Sequence, residues 1–352
     1  MLNYIGPPTT TVRLAITLAL AILLPLATAC NIVHKPVEVE KLLTPLDQAD
    51  TPQLIRLVNS AASARSIHGK VDIQFEDTSF ATAGIAEKYR TADGSITLQR
   101  PASVYLIVEG PLAIGDVAQM TSDGEHFRIA VLKGDEKYRR FVRGTNNAVY
   151  AKLEMDGKSD PAANKKGKPN SEAQAVSALS NLRPQHLTDA LLIRPIDPHA
   201  PGVMYVQSEF FQSEKDPAKP ETNKRIVRGY YFLEELQTSS DGTGRLLRRF
   251  WFDRVNGIRL ARLETFDEKG TLMTDISYGE LKRFGAGGEA LLPAQIGITR
   301  PQDHYKITIT YQMPETVGLD KSYSPEAFVL ENHWGLHEVD LDADKKPVPP
   351  KN

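Results

Sequence analysis

Between Arg245 and Phe284 the chain reads RLLRRFWFDRVNGIRLARLETFDEKGTLMTDISYGELKRF, and residue type alternates there with a period of two. Successive side chains of a strand point to opposite faces, so this pattern demands extended chain. Leu246, Arg248, Phe250 and Phe252 share one parity, and Leu247, Arg249, Trp251 and Asp253 share the other. In the next run Ile258, Leu260 and Arg262 oppose Arg259, Ala261 and Leu263. In the third, Leu272, Thr274, Ile276 and Tyr278 alternate with Met273, Asp275 and Ser277. Val255-Asn256-Gly257 and Glu268-Lys269-Gly270 separate the runs, and Asn and Gly tolerate the positive φ of tight hairpins. The stretch therefore predicts an antiparallel meander. Its bulky residues lie on both parities, so each face is expected to be partly covered. A sheet that presents one broad apolar face needs a lid, a second sheet or a ligand.

The same rhythm recurs upstream. His68 to Asp77 places Val71, Ile73 and Phe75 on one face. Ala83 to Ala92 and Ser95 to Leu98 read as strands around a turn at Asp93-Gly94. Ser103 to Val108 is almost wholly apolar, as a central strand would be. Val117 to Thr121, His126 to Leu132 and Lys137 to Val142 follow, with Phe127, Ile129 and Val131 in phase. Strands resume at Val203 to Phe211 and Ile226 to Leu236, and again at His304 to Gln312. Asp50-Thr51-Pro52 is a helix start, a capping residue followed by Pro in the first turn, and the helix is expected to end near Ser66. Gly144 to Asn170 loses all periodicity and reads as a surface loop. Ser171 to Leu192 is helical in pattern and interrupted at Pro184. Such an insert suits either a cover over the sheet or a connector along its edge.

The amino terminus is read as targeting sequence rather than fold. Arg13 precedes Leu14 to Leu26, thirteen mostly apolar residues. A bilayer core of ~30 Å needs about 20. This fits the apolar region of a signal peptide over residues 1–29, with Ala27-Thr28-Ala29 as the small residues before cleavage. The sole cysteine, Cys30, follows directly. Leu26-Ala27-Thr28-Ala29-Cys30 resembles a bacterial lipobox, with Ala27 where Leu is usual. The resemblance implies a diacylated Cys30 at the mature terminus; the plain alternative is cleavage that leaves a free thiol. Acyl chains anchor at ~0.8 kcal/mol per buried CH₂. Asn31 after the cysteine favours the outer membrane by analogy with sorting signals. Residues 30–50 then form a tether, residues 51–337 the folded domain, and residues 338–352, acidic and then rich in Pro and Lys, a disordered tail.

Net charge is −2 in 352 residues, which supplies no pull toward nucleic acid. One cysteine excludes an internal disulfide. His333 and His337, followed by Glu338, do not match the H-E-x-x-H spacing of zinc hydrolases, and no G-x-S-x-G occurs. Gly285 to Gly288 lacks the Lys-Ser/Thr of a phosphate loop. No enzyme, metal site or cofactor is expected.

Phe250-Trp251-Phe252-Asp253, Asn256-Gly257, Arg262-Leu263-Glu264, Lys269-Gly270, Tyr278 and Leu292-Pro293, with Glu109 to Gly115 upstream, resemble the LolA/LolB superfamily of bacterial lipoprotein carriers. The likeness runs from about Thr51 to Leu330, in element order more than in identity. It implies a mainly β (α+β) fold, a strongly curved open antiparallel sheet or half-barrel with helices covering the concave face. It implies a cavity for the acyl chains of lipoproteins or lipids, and envelope partners such as a periplasmic carrier. Candidates to line that cavity are Val71, Phe75, Leu106, Val108, Phe127, Ile129, Phe250, Phe252 and Leu260. Leu112 and Ile114 would either dip into the membrane or fold back over the sheet edge. A scaffold or sensor of the same fold that grips a protein partner is the competing expectation.

Overall fold

The computed structural model describes residues 39–78, 87–88, 91–110, 115–134, 136, 139–146, 148, 184–219, 221–239, 242–288 and 290–343. Residues Leu42–Asn352 form one compact unit, to which all of the following applies. In chain order its elements are α1 (Thr51–Ala61), β1 (Ser66–Asp77), β2 (Ala92–Gln99), β3 (Ser103–Glu109), β4 (Asp116–Ser122), β5 (His126–Val131) and β6 (Arg140–Thr145). Then come α2 (Pro184–Leu191), β7 (Val203–Lys215), β8 (Arg225–Thr238), β9 (Gly244–Asp253), β10 (Arg259–Phe266) and β11 (Leu272–Tyr278). The hairpin β12 (Leu281–Phe284) and β13 (Ala290–Pro293) stands apart as its own small sheet, before β14 (Gln295–Arg300), β15 (Tyr305–Tyr311) and β16 (His337–Asp340).

The main sheet holds seventeen segments, three of them two-residue pieces. The other fourteen lie in the order β7-β8-β9-β10-β11-β14-β15-β1-β2-β3-β4-β5-β6-β16. Among the described residues β7 and β16 are its edges and the sheet is not closed. The fold is thus mainly β, as expected, but the sheet is mixed. Every pairing in this order is antiparallel except the last, where β16 lies parallel to β6. The polar run His337-Glu338-Val339-Asp340 gives no strand signal of its own. It pairs because β6 offers a free edge and because Leu341 is buried behind it. Residues 338–340, expected to open a disordered tail, are instead strand, and residues 344–352 lie outside the described residues.

The boundary at the other end shifts as well. Leu43 N–H donates to Val227 O at 2.9 Å and Asp47 N–H to Arg254 O at 2.8 Å, so residues 43–50 are part of the fold rather than tether. Asp50 caps α1 as its sequence predicts. Its carboxylate accepts from Gln53 N–H at 2.8 Å, and the Gln53 side chain accepts from Asp50 N–H at 3.2 Å. Gly94 is a further correction. It sits inside β2, opposite Val71 and Val108, and makes no turn. A Cβ there would lie 2.4 Å from Ile107 O, so glycine serves close strand approach. The turns at Asn256-Gly257 and Gly270 carry the positive φ foreseen, 58°, 106° and 75°.

One face of the sheet carries the core. Val71, Ile96, Leu106, Phe127, Phe250, Ile276, Ile298 and Ile307 come from eight different strands and belong to a single apolar cluster. Leu54 and Val58 of α1 and Leu187 and Ala190 of α2 join it. On the opposite face β8 to β11 supply their own cover. Arg262 lies 4.5 Å over the Trp251 ring and bonds Asp275 at 2.6 and 2.8 Å. Trp251 Nε1 donates to Glu264 at 3.0 Å, and Arg249 stacks on Phe232. The guanidinium stems and rings shield that face while the charges stay paired.

Candidate functional site

All nine residues expected along a cavity face the same apolar cluster. Val71, Leu106, Val108, Phe127, Ile129, Phe250, Phe252 and Leu260 are buried in it, and Phe75 packs against it half-buried, stacked 5.7 Å from Tyr305. Simple parity predicts Leu260 and Leu263 on opposite faces, yet both are core. The cause is a bulge: Phe250 pairs with Leu263 but Phe252 with Leu260, leaving Ala261 unopposed. The structure brings these side chains together as packing. The gap bordered by Leu106, Val108, Ala118 and Ile129 is ≈ 10 Å³, and that between α2, β11 and β14 is ≈ 20 Å³. Each admits about one water. Leu112, Ile114 and Cys30 lie outside the described residues, as does the helical insert before Pro184.

The ends of the two helices that pack on this core are joined through one side chain. Arg100, at the end of β2, donates from Nε to Ala64 O at 2.9 Å and from one terminal nitrogen to Ala62 O and Ile193 O at 2.8 Å each. Its other terminal nitrogen reaches Leu192 O at 3.4 Å. Ala62 closes α1, and Leu192 and Ile193 follow α2. One cation thus binds the carbonyl ends of both helices, where the helix dipoles favour positive charge. Burial lowers the Arg100 pKa from its ordinary value, which still leaves the group charged at neutral pH.

Other polar groups reinforce the clamp. Asn59 of α1 exchanges two bonds with the Ile196 backbone, at 2.7 and 3.0 Å. Tyr278 O–H donates to Ala190 O at 3.2 Å, and His186 of α2 shares a hydrogen bond with Tyr305 O–H at 2.9 Å. Arg248 pairs with Glu235 and donates to Arg194 O at 2.9 Å. Burial pushes the Tyr278 hydroxyl well above its usual range, so it stays a neutral donor. Asp189 of α2 lies beside Arg194 at 3.5 Å with nearly half of its side chain open. The apolar surroundings still raise its carboxyl pKa, against the pull of Arg194, Arg248 and Arg300. Burial and Glu235 push Tyr205 up to about 12. Sequence reading missed Arg100, Asn59 and Arg248, because backbone carbonyls as acceptors leave no pattern in a sequence.

Among the described residues no three His, Cys, Asp or Glu side chains group as metal ligands. His333 lies 3.5 Å from Glu331 and edge-on to the Trp334 ring, and His337 belongs to β16. A larger open cleft of ≈ 530 Å³ lies between Ala64, the β12–β13 hairpin and Glu315 to Lys321. Its mixed charges, Glu315, Asp320 and Lys321, select no ligand class.

No family model and no curated protein matches the chain. Among solved structures it is similar to a LolA superfamily protein from Nitrosomonas europaea, with 12% identity and a TM-score of 0.38, over 80% of this chain and 99% of that one. It is also similar to a DUF1329 family protein from Desulfovibrio piger, with 11% identity and a TM-score of 0.35, over 81% and 96%. A third is an outer membrane lipoprotein-sorting protein domain from Vibrio parahaemolyticus, with 11% identity and a TM-score of 0.36, over 77% and 94%. At such scores the likeness concerns the general run of strands and decides nothing about ligand, partner or residue roles.

Proposed function

We propose that the protein is a lipid-anchored, periplasm-facing envelope protein that takes acyl chains of a lipoprotein or lipid between its sheet and its helical cover, for transfer or insertion at the outer membrane. The observation that carries this reading is the cover itself. A single apolar face drawn from most of the fourteen strands packs against two short helices, whose ends are tied by polar bonds to backbone carbonyls, which supports their acting as a cover. Apolar area stabilises a bound chain by ~25 cal/mol per Å². A cover held by a few polar contacts can lift without disturbing the sheet. The reach of α2 supports a bent sheet. The helix touches β3, β4 and β14, and Arg194 just beyond it meets Arg248 of β9. From β9 to β4 is eight steps of about 4.8 Å, about 38 Å. The segment from Pro184 to Arg194 spans roughly 22 Å, with helical rise and then extended chain.

The gaps of ≈ 10 and ≈ 20 Å³ favour a second reading, an envelope scaffold whose interior is plain core. Ligand pockets usually measure roughly 300–1,000 Å³. The carrier therefore requires the closed state seen here to open. Native mass spectrometry of protein extracted from membranes, followed by titration with a fluorescent fatty acid, separates the two. The carrier shows co-purified acyl ligand or saturable uptake at one site. Neither signal, even with the cover loosened at Arg100, leaves the scaffold standing.

A further inference from the structure

At one corner of the sheet the start of β4, the end of β5 and the entry to β6 meet the segment that leads into β16. Asp116, Leu132, Lys133, Arg139 and Trp334 line a cleft of ≈ 300 Å³ there. Leu330 and Leu336 are buried against Ala130 and Phe141. Between them Asn332 closes the loop: its amide donates to Leu336 O at 2.8 Å and its carbonyl accepts from Leu336 N–H at 3.0 Å. Gly335 takes φ 62° at the turn. This loop has buried anchors on both sides and still leaves Trp334, its largest apolar residue, 38% exposed. Its ring meets His333 edge-on at 6.3 Å, and an indole so placed has an apolar body and an N–H that, among the described residues, is free for an interface.

The charges beside it are equally unspent. Lys133 and Arg139 are exposed and neither is in an ion pair among the described residues, whereas Arg228, Arg249, Arg259 and Arg262 all are. Asp116 is turned to Gln119, whose amide donates to it at 2.6 Å. From Lys133 to Arg140 the sequence carries four basic residues against Asp135 and Glu136. The net charge of −2 excludes a general cationic surface, so this is a local concentration.

We propose that this cleft docks on the phosphate headgroups of an anionic phospholipid surface. Lys133 and Arg139 pair with headgroup phosphates, and the Trp334 indole lies at headgroup depth, where its apolar body and N–H are both satisfied. The site is separate from the acyl-binding reading and stands or falls without it.

The test places the full chain in vesicles of phosphatidylcholine, with or without phosphatidylglycerol, containing lipids with brominated acyl chains, which quench nearby indoles. Trp334 emission is quenched in the anionic vesicles, and Trp334→Phe removes the quenched component while buried Trp251 continues to report the fold. The double change Lys133→Glu and Arg139→Glu abolishes the quenching, and high salt weakens it. Because both side chains are exposed, these changes leave Trp251 emission as it was. Quenching that is absent, or equal in neutral vesicles, or unaffected by the charge reversal, overturns the proposal. So does a Trp334 response to inorganic phosphate without quenching by lipid.

Discussion

Replacing Arg100 by Met keeps the apolar stem and removes the guanidinium that ties α1 to α2. Three of its four bonds are well formed, at 2.8 to 2.9 Å, and the fourth, at 3.4 Å, is discounted. A bond to a charged group contributes about 1.5–3 kcal/mol when fully buried. Arg100 is half-buried and the freed carbonyls regain water, which reduces each to about 1 kcal/mol. Favourable charge placement at two helix ends adds about 0.3–1 kcal/mol each. The sum is about 3.6–5 kcal/mol, or a rise of several hundred-fold to a few thousand-fold in the opening constant of the cover. Hydrogen exchange measured residue by residue reads this directly. Amides from Leu187 to Leu192 should exchange several hundred-fold faster or more, while Ile73 and Ile309 in the paired strands β1 and β15 keep their protection. Equal acceleration everywhere would mean that Arg100 stabilises the whole fold and latches nothing. Unchanged exchange in α2 would refute the clamp altogether.

Two further expectations follow from the described geometry and the sequence. Asp123 turns the chain from β4 to β5, accepting from Glu125 N–H at 3.0 Å and His126 N–H at 2.7 Å, with Arg128 at 3.3 Å. Burial acts to raise its pKa, but the bonds from His126, Glu125 and Arg128 outweigh it and hold the carboxyl below the usual 3.8. A depressed folded-state pKa contributes stability that is present above the unfolded value and lost as pH falls through the folded one. Asp123→Asn should therefore cost about 1 kcal/mol in urea unfolding at neutral pH and flatten the loss of stability below about pH 4; an undiminished acid transition would count against this account. Cys30→Ser should abolish metabolic palmitate labelling and release the processed chain from the membrane fraction, and a wild-type chain that takes up no label would remove the anchor.

The strands were legible because a half-buried sheet imposes a period of two on the chain itself. Phe250 and Phe252 could be assigned to one face from alternation alone, and Asp50 to a helix start from its neighbours Thr51 and Pro52. Local conflicts broke that reading where pairing overrode it. The bulge opposite Trp251 and Phe252 moved Leu260 onto the face of Leu263, and strand crowding drew Gly94 out of a turn. Nothing in the alternation distinguishes a residue that lines a hollow from one that packs: the nine candidate side chains share one apolar cluster, and the gap beside Leu106, Val108 and Ile129 is ≈ 10 Å³.

Sequence alone determined the mainly β class, the turns at Asn256-Gly257 and Gly270 and the shared face of Phe250 and Phe252, since these depend on each residue's own conformational and burial preferences. Only the tertiary structure decided that β16 runs parallel at the sheet's edge, that Arg100 gathers the carbonyls of both helices, and that Trp334 shares a cleft with Lys133 and Arg139. Those features join residues far apart in the chain through backbone acceptors and strand edges, and such partners carry no side-chain signature to be read in advance.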